Sequence, residues 1–365
     1  MEVIHIVLGK ANPNRSNGVN KVVYNLASEQ AKAEKNVEVW GITPHPNHNY
    51  PERNFTTYLF QASAFPFQLN AVLKKQILQR KEAVYHLHGG WIPVFFTLAQ
   101  FLKKHHIKFI LTPHGAYNQI AMKKNKTLKA FYFRFFEKKI LKNAYRLHAI
   151  GKSEVTSLKQ LYPNQITRLL PYGFEAQQQA LQVNKPLDFT IGFIGRLDVH
   201  TKGLDLLLHA FHNFQNQHKN SKLWIIGGGD GLAYVEAFKA EMNLNNITIW
   251  GEKYGNEKET LLAQMHVFAH PSRNEGLPTS VLEAAAFEVP TLVSEATNLG
   301  DIISQYKAGI TIENECTEAL IEGLDKLYKA WVNNTLTTYG KAGKLMLEEG
   351  FNWPKLVEKY ELLYA

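Results

Sequence analysis

Short apolar runs alternate with segments of helical period along the whole chain. In the first half the runs fall at residues 3–8, 37–42, 84–87, 107–111 and 145–150, each the length of a buried strand. Between them Val19, Val22, Val23 and Leu26 recur at helical spacing, and residues 94–102 read as another helix. The second half repeats the scheme, with strands expected at 190–194, 223–226, 247–250, 267–269 and 291–293, and with Leu204, Leu207, Leu208 and Phe211 marking the helix after the first of them. Strict alternation of this kind builds parallel sheets covered by helices on both faces. The expected fold class is therefore α/β, with two Rossmann-like doubly wound domains facing across a cleft, over residues 1–174 and 189–349. The polar stretch 175–188, with four glutamines and no sustained apolar period, reads as the linker.

Composition agrees with two cores: 365 residues at 45% hydrophobic content can fill two ordinary domains. The single cysteine, Cys316, cannot form an internal disulfide, and residues 2–8 read as a strand rather than a leader, so the cytoplasm is the expected compartment. The longest apolar stretch, 91–102, is interrupted by Thr97 and Gln100 and falls short of the ~20 residues of a spanning helix. Charge is uneven. Residues 1–180 carry 25 Lys and Arg against 9 Asp and Glu, a net of +16, whereas 181–365 carry a net of −7. A basic first half favours an anionic partner such as the inner face of the cell membrane. Residues 123–142 add to this by interleaving Lys123, Lys124 and Lys126 with Phe131, Tyr132, Phe133, Phe135 and Phe136. Most of those aromatics are expected in the core, with some of the lysines and one or two of the aromatics at lipid headgroups. Nucleic acid is not expected, because no binding motif accompanies them.

The candidate chemistry sits in the second half. In HPSRNEGLPTSVLEAAA, Glu275 lies on a loop after a strand, and Glu283 lies inside the helix that follows. A strand's carboxyl end next to a helix start is where an open α/β sheet binds anions, and two carboxylates there suit a polyhydroxylated guest. Upstream, a strand ending at Gly195 is followed by Arg196 and Lys202, cations suited to a diphosphate.

This set resembles the retaining glycosyltransferases of family 4, which have the GT-B fold, and the resemblance covers nearly the whole chain. It implies that Arg196 and Lys202 hold the diphosphate of a nucleotide-sugar donor, that Glu275 meets the transferred sugar and that Glu283 meets the ribose. Gly276, Leu277, Thr279 and Ser280 would offer backbone amides to the phosphates; the family more often has Gly-Phe-Gly-Leu after this glutamate, whereas Pro278 here has no N–H. On the first half, Gly18 lets backbone approach the donor and His114, in TPHG, approaches the reaction centre. The C-terminal segment 350–365, with Trp353, Leu356, Val357, Tyr360 and Leu363 at helical spacing, would pack back on the first domain. The implied activity is metal-independent transfer from a nucleoside diphosphate sugar, UDP-linked, to a glycan or lipid-linked glycan acceptor, without a cofactor. No Asp-x-Asp pair occurs to carry a magnesium ion.

Other features have plainer readings. Residues 227–231, GGGDG, do not fit a dinucleotide fingerprint and read as a tight turn beside the nucleotide. His86 and His88 share a strand face but lack a third ligand at a recognisable spacing, which favours core packing or cleft lining over a metal. Tyr172-Gly173 stands where relatives have Asn-Gly. The alternatives are a non-catalytic nucleotide-sugar or polysaccharide-binding protein, or another GT-B enzyme such as an epimerase or phosphorylase.

Overall fold

The structure, a computed structural model, describes residues 1–365 apart from 14–17, 49, 51, 118–125, 164 and 176–182. The chain forms two compact units, one of Met1–Gly173 with Trp353–Ala365 and the other of Phe174–Asn352.

The first unit is built on β1 (Glu2–Leu8), β2 (Asn36–Thr43), β3 (Thr56–Gln61), β4 (Val84–His88), β5 (Phe109–Thr112), β6 (Arg146–Ala149) and β7 (Thr167–Leu169). These strands pair in parallel in the order β3-β2-β1-β4-β5-β6-β7. β4 and β5 are buried throughout, as a parallel strand covered on both faces must be. Helices Gly18–Lys32, Ala71–Gln79, Pro93–Lys104 and Lys152–Leu161 lie between them in sequence. The unit is completed by the helix Trp353–Tyr364, which buries Trp353, Leu356, Val357, Tyr360, Leu363 and Tyr364. Gly350 ends the preceding helix, Leu336–Gly350, and belongs to the second unit.

The second unit contains β8 (Phe189–Ile194), β9 (Ser221–Ile226), β10 (Ile247–Gly251), β11 (Val267–His270), β12 (Thr291–Ser294) and β13 (Gly309–Ile312), parallel in the order β10-β9-β8-β11-β12-β13. Strand order reverses direction at β1/β4 in one sheet and at β8/β11 in the other. In open α/β sheets the carboxyl ends at such a point form the ligand crevice.

Three strands were not anticipated: β3, β7 and β13. The stretch expected as the linker falls partly on 176–182, outside the described residues; beyond it, Lys185 Nζ donates to the Ala263 carbonyl at 3.1 Å within the second unit. The Lys- and Phe-rich segment forms the helix Lys126–Tyr132, one π-helical turn Phe133–Glu137, and the helix Lys138–Asn143. Ile140 and Leu141 are buried and Phe133 packs against the core, whereas Phe131 and Phe135 are 60% and 43% exposed. Lys123 and Lys124 lie outside the described residues. Among the described residues no helix is long and apolar enough to cross a membrane.

Candidate functional site

The loops that leave β8 and β11 meet because one residue between them lacks a side chain. After β8, the Asp198 carboxylate accepts the Thr201 amide at 2.9 Å and caps the short helix Val199–Lys202. The helix ends at Gly203 with φ +66°, and a Cβ there would stand 2.1 Å from the Pro271 carbonyl oxygen. Any other residue would push the two loops apart. A second clasp is Arg273. Its guanidinium donates two parallel bonds of 2.8 Å to the Asp205 carboxylate and a third, also 2.8 Å, to the His200 carbonyl. The Gly227–Gly231 turn lies against the same region: the Leu197 amide donates to Gly228 O at 2.9 Å and Gly231 N to Leu197 O at 2.7 Å.

Held this way, Lys202 Nζ donates to Glu275 Oε1, and both side chains are mostly buried. The same carboxylate oxygen accepts from His270 Nε2 at 2.9 Å and from Ser272 Oγ at 3.1 Å. Burial alone would raise the Glu275 carboxyl, but the His270 hydrogen bond and the charges of His270 and Lys202 outweigh it and hold the group at about 2. It is therefore an anion at neutral pH. His270 itself is pushed below its ordinary value by burial, which its bond to Glu275 only partly offsets. Its ring lies between Phe193 and Phe268, at centroid distances of 5.7 and 5.9 Å. The Glu275 loop is strapped from the β12 side as well, where Asn298 Nδ2 donates to the carbonyls of Glu275 at 2.9 Å and Gly276 at 2.8 Å.

The remaining expected residues of this unit are placed as follows. Glu283 lies in the helix Thr279–Ala286, and its carboxylate accepts from Lys258 Nζ at 2.9 Å. The two glutamates thus hold different lysines. Gly276, Leu277, Thr279 and Ser280 lie on the loop and first turn, where Pro278 is the N-cap and no side chain caps the helix. Arg196 is largely exposed, its guanidinium 3.4 Å from Asp198.

Gly18 and His114 belong to the first unit. Gly18 opens the helix Gly18–Lys32, and the loop residues 14–17 before it lie outside the described residues. His114 sits just beyond β5 with φ +56°. The loop is pinned through Glu154, whose carboxylate accepts from the amides of Gly115 at 2.6 Å and Ile150 at 2.9 Å. Both His114 ring nitrogens are engaged, Nε2 with His88 at 3.0 Å and Nδ1 with the Tyr172 hydroxyl at 2.6 Å. His86 and His88 do acquire a third histidine: His5, paired with His86 across β1 and β4, brings the three donor nitrogens within 4.8 Å of one another.

Residues 175–346 match the sequence model described as "Glycosyl transferases group 1", and residues 16–178 match "Glycosyltransferase Family 4". The chain belongs to the family 4-type glycosyltransferases. The glycosyltransferase is 24% identical over 313 residues to the capsular polysaccharide biosynthesis glycosyltransferase CapM of Staphylococcus aureus, covering 81% of this chain and 80% of CapM. It is 23% identical over 309 residues to an Escherichia coli UDP-Gal:α-D-GlcNAc-diphosphoundecaprenol α-1,3-galactosyltransferase, covering 80% and 77% of the two chains. Among solved structures, HepE of Anabaena in complex with UDP superposes with a TM-score of 0.73 at 12% identity, over 100% of this chain and 99% of that one. The fold of the glycosyltransferase is the two-domain α/β GT-B fold.

Several residues that surround Glu275 and Glu283 in the glycosyltransferase were not singled out as site residues from sequence: His270, Ser272, Arg273 and Asn298 about the first, and Lys258 at the second. For the first three the signal was present. A histidine ending an apolar strand, followed within the same loop by serine and arginine, places three polar groups at a carboxyl end. Lys258 and Asn298 come from other elements and carry no such mark.

Proposed function

We propose that this glycosyltransferase moves a sugar from a UDP-sugar to a hydroxyl of a glycan or lipid-linked glycan, with retention of configuration, in the synthesis of a cell-surface polysaccharide. The observation that carries the reading is the Lys202–Glu275 contact at the β8/β11 carboxyl ends. It sets a cation for the diphosphate beside an anion for the sugar hydroxyls, with the amide-bearing start of the helix Thr279–Ala286 on the same loop. The named activities of the relatives in capsule and diphosphoundecaprenol chemistry support the choice of donor and acceptor.

In this mechanism the donor diphosphate takes Lys202 and the exposed Arg196, while the amides of Gly276, Leu277, Thr279 and Ser280 face its oxygens. Glu275, ionised at neutral pH, accepts hydrogen bonds from the sugar, and Glu283 from the ribose. As the glycosidic C–O bond breaks, negative charge gathers on the diphosphate, where the cations and amides meet it. The departing phosphate oxygen takes the proton of the acceptor hydroxyl, whose oxygen forms the new bond on the face that the leaving group vacates. Configuration is thereby retained. Gly18 and His114 serve the donor from the first unit. The cationic side chains replace a metal ion, so EDTA leaves turnover unchanged; complete loss restored by a divalent cation would refute that part.

The enzyme acts at the cytoplasmic membrane face. Exposed Phe131, Phe135 and Leu128 share their segment with Lys129, Arg134, Lys138 and Lys139, a pairing of apolar and basic groups that suits anionic lipid. The first experiment is thermal shift with UDP, GDP and ADP. UDP at 100 times its dissociation constant adds about 2.7 kcal/mol of stability, which Lys202→Met abolishes. No shift with any nucleotide refutes the donor reading.

A further inference from the structure

The first unit contains a continuous line of polar groups in its core. His148 Nε2 lies 2.7 Å from the Leu170 carbonyl and His148 Nδ1 2.7 Å from Thr112 Oγ1. Thr112 is 2.6 Å from His86 Nε2, and His86 Nδ1 is 3.1 Å from the Tyr364 hydroxyl. Gln30 Nε2 reaches the same hydroxyl at 3.3 Å, and Gln30 Oε1 is 2.7 Å from His5 Nε2. From there His5 Nδ1 meets His88 Nε2 at 2.9 Å, His88 Nδ1 meets His114 Nε2 at 3.0 Å, and His114 Nδ1 meets the Tyr172 hydroxyl at 2.6 Å.

Burial, reinforced in His86, His88, His114 and His148 by the charge of neighbouring imidazoles, pushes all five histidines well below their ordinary value, to about 4 for His5 and His148 and about 3 for His114. They are neutral at pH 7, and a neutral imidazole has one N–H and one bare nitrogen. The polarity of the whole line then follows from one group. A carbonyl only accepts, so His148 carries its proton on Nε2 and is bare at Nδ1. Thr112 must donate to that nitrogen and accept from His86 Nε2–H. His86 Nδ1 is bare and takes the Tyr364 proton; Tyr364 accepts from the Gln30 amide, which turns the Gln30 oxygen toward His5. His5, His88 and His114 in turn each donate through Nε2 and accept at Nδ1, and the Tyr172 O–H donates to the last of them.

We propose that these groups form one proton-ordered chain, anchored on the Leu170 carbonyl, which presents His114 Nδ1 as a fixed hydrogen-bond acceptor for a sugar hydroxyl. The hydroxyl takes the place of the Tyr172 O–H. His88, His5, Gln30, Tyr364, His86, Thr112 and His148 are positioning residues that act through His114. The chain also accounts for the His5–His86–His88 cluster without an ion, because every ring nitrogen is spent on a hydrogen bond. The role assigned to His114 rests on the function proposed above; the proton order does not.

The test is two-bond ¹H–¹⁵N correlation on ¹⁵N-histidine protein, which reports each ring's tautomer, with Tyr364→Phe as the variant. Wild type is expected to show His5, His86, His88, His114 and His148 as Nε2–H forms, unchanged from pH 6 to pH 8. Tyr364→Phe keeps the ring but frees Gln30 to turn over. His86 and His148, still tied to Leu170, stay Nε2–H, whereas His5, His88 and His114 become tautomer mixtures. With them kcat falls about tenfold while the donor KM changes less than twofold. An Nδ1–H or doubly protonated His114 in wild type overturns the chain, as does stoichiometric zinc in the purified protein, since a metal would occupy the lone pairs. Mixed tautomers in Tyr364→Phe with kcat unchanged overturn the role of His114 while leaving the order standing. UDP binding by both proteins, measured alongside, separates either result from a failure of the donor reading.

Discussion

Glu275→Gln tests the centre of the site, because it keeps the shape of the side chain and removes only the charge. The Glu275 carboxyl is held at about 2 against an ordinary 4.5. That depression is worth about 3 kcal/mol of folding stability at 1.36 kcal/mol per pKa unit. Because the folded value lies below the unfolded one, the contribution is complete above pH 4.5 and is lost as the pH falls toward 2. Near pH 3 about half of it remains. Glutamine resembles the protonated form and still accepts from His270 and Ser272, so urea unfolding should show the variant up to about 3 kcal/mol less stable at pH 7 and the gap roughly halved at pH 3. Function should divide differently. Without its carboxylate partner Lys202 is released toward the diphosphate, so UDP binds the variant at least as tightly as the wild type. Transfer should fall roughly 10–150-fold, the worth of a charged hydrogen bond to the sugar of about 1.5–3 kcal/mol. Calorimetric titration with UDP and a coupled assay of UDP release read the two halves. A stability gap of the same size at pH 7 and pH 3, or UDP binding lost together with transfer, would refute the reasoning.

Three further outcomes are expected. Gly203→Ala forces a Cβ to 2.1 Å from Pro271 O at a φ of +66°, so it should cost about 2 kcal/mol or more in urea unfolding and separate Lys202 from Glu275; an unchanged midpoint counts against the clasp. Arg273→Lys cannot reproduce the paired bonds to Asp205, and should lower stability by about 1.5–3 kcal/mol and transfer with it; full activity would show that the fork is dispensable. Phe131→Ser with Phe135→Ser removes two exposed rings that lie 4.5 Å apart. It should leave the melting temperature unchanged within the usual ±0.5 kcal/mol of surface substitutions and reduce co-sedimentation with anionic liposomes, and undiminished sedimentation would sink the membrane contact.

Strands in the middle of each sheet were legible because both faces are covered and their residues form near-continuous apolar runs, as in β5 and β11. The strands missed are β3, β7 and β13, and each lies at the rim of its sheet. TTYLFQ and TRL expose much of their length, so the solvent-facing positions dilute the apolar signal. The site divides in the same way. Lys202 and Glu275 were readable because each lies close after a strand's carboxyl end, and the fold carries both to one place. That Glu283 holds Lys258 was not readable, since the lysine reaches it from a separate helix, Gly255–Gln264. The histidine chain was harder still. His5, His86 and His148 stand on three strands, β1, β4 and β6, of which β1 and β4 adjoin in the sheet although β2 and β3 lie between them in sequence, and Tyr364 arrives from the far end of the chain.

The helix Trp353–Tyr364 also dictates when the first unit can finish folding. Tyr364 and Tyr360 are fully buried in it, and Arg146 donates at 2.8 Å to the carbonyls of Leu362 and Leu363. Residues 1–173 therefore leave the ribosome lacking part of their own interior, and wait while the whole second unit is made. At synthesis rates of about 5–20 residues per second that interval is on the order of 10–40 s, during which strands β1 to β7 have no closing helix. The second unit has no such wait, since its chain is continuous from Phe174 to Asn352. The unit translated last is thus the one able to fold first, and the unit translated first matures only with the final turns of helix.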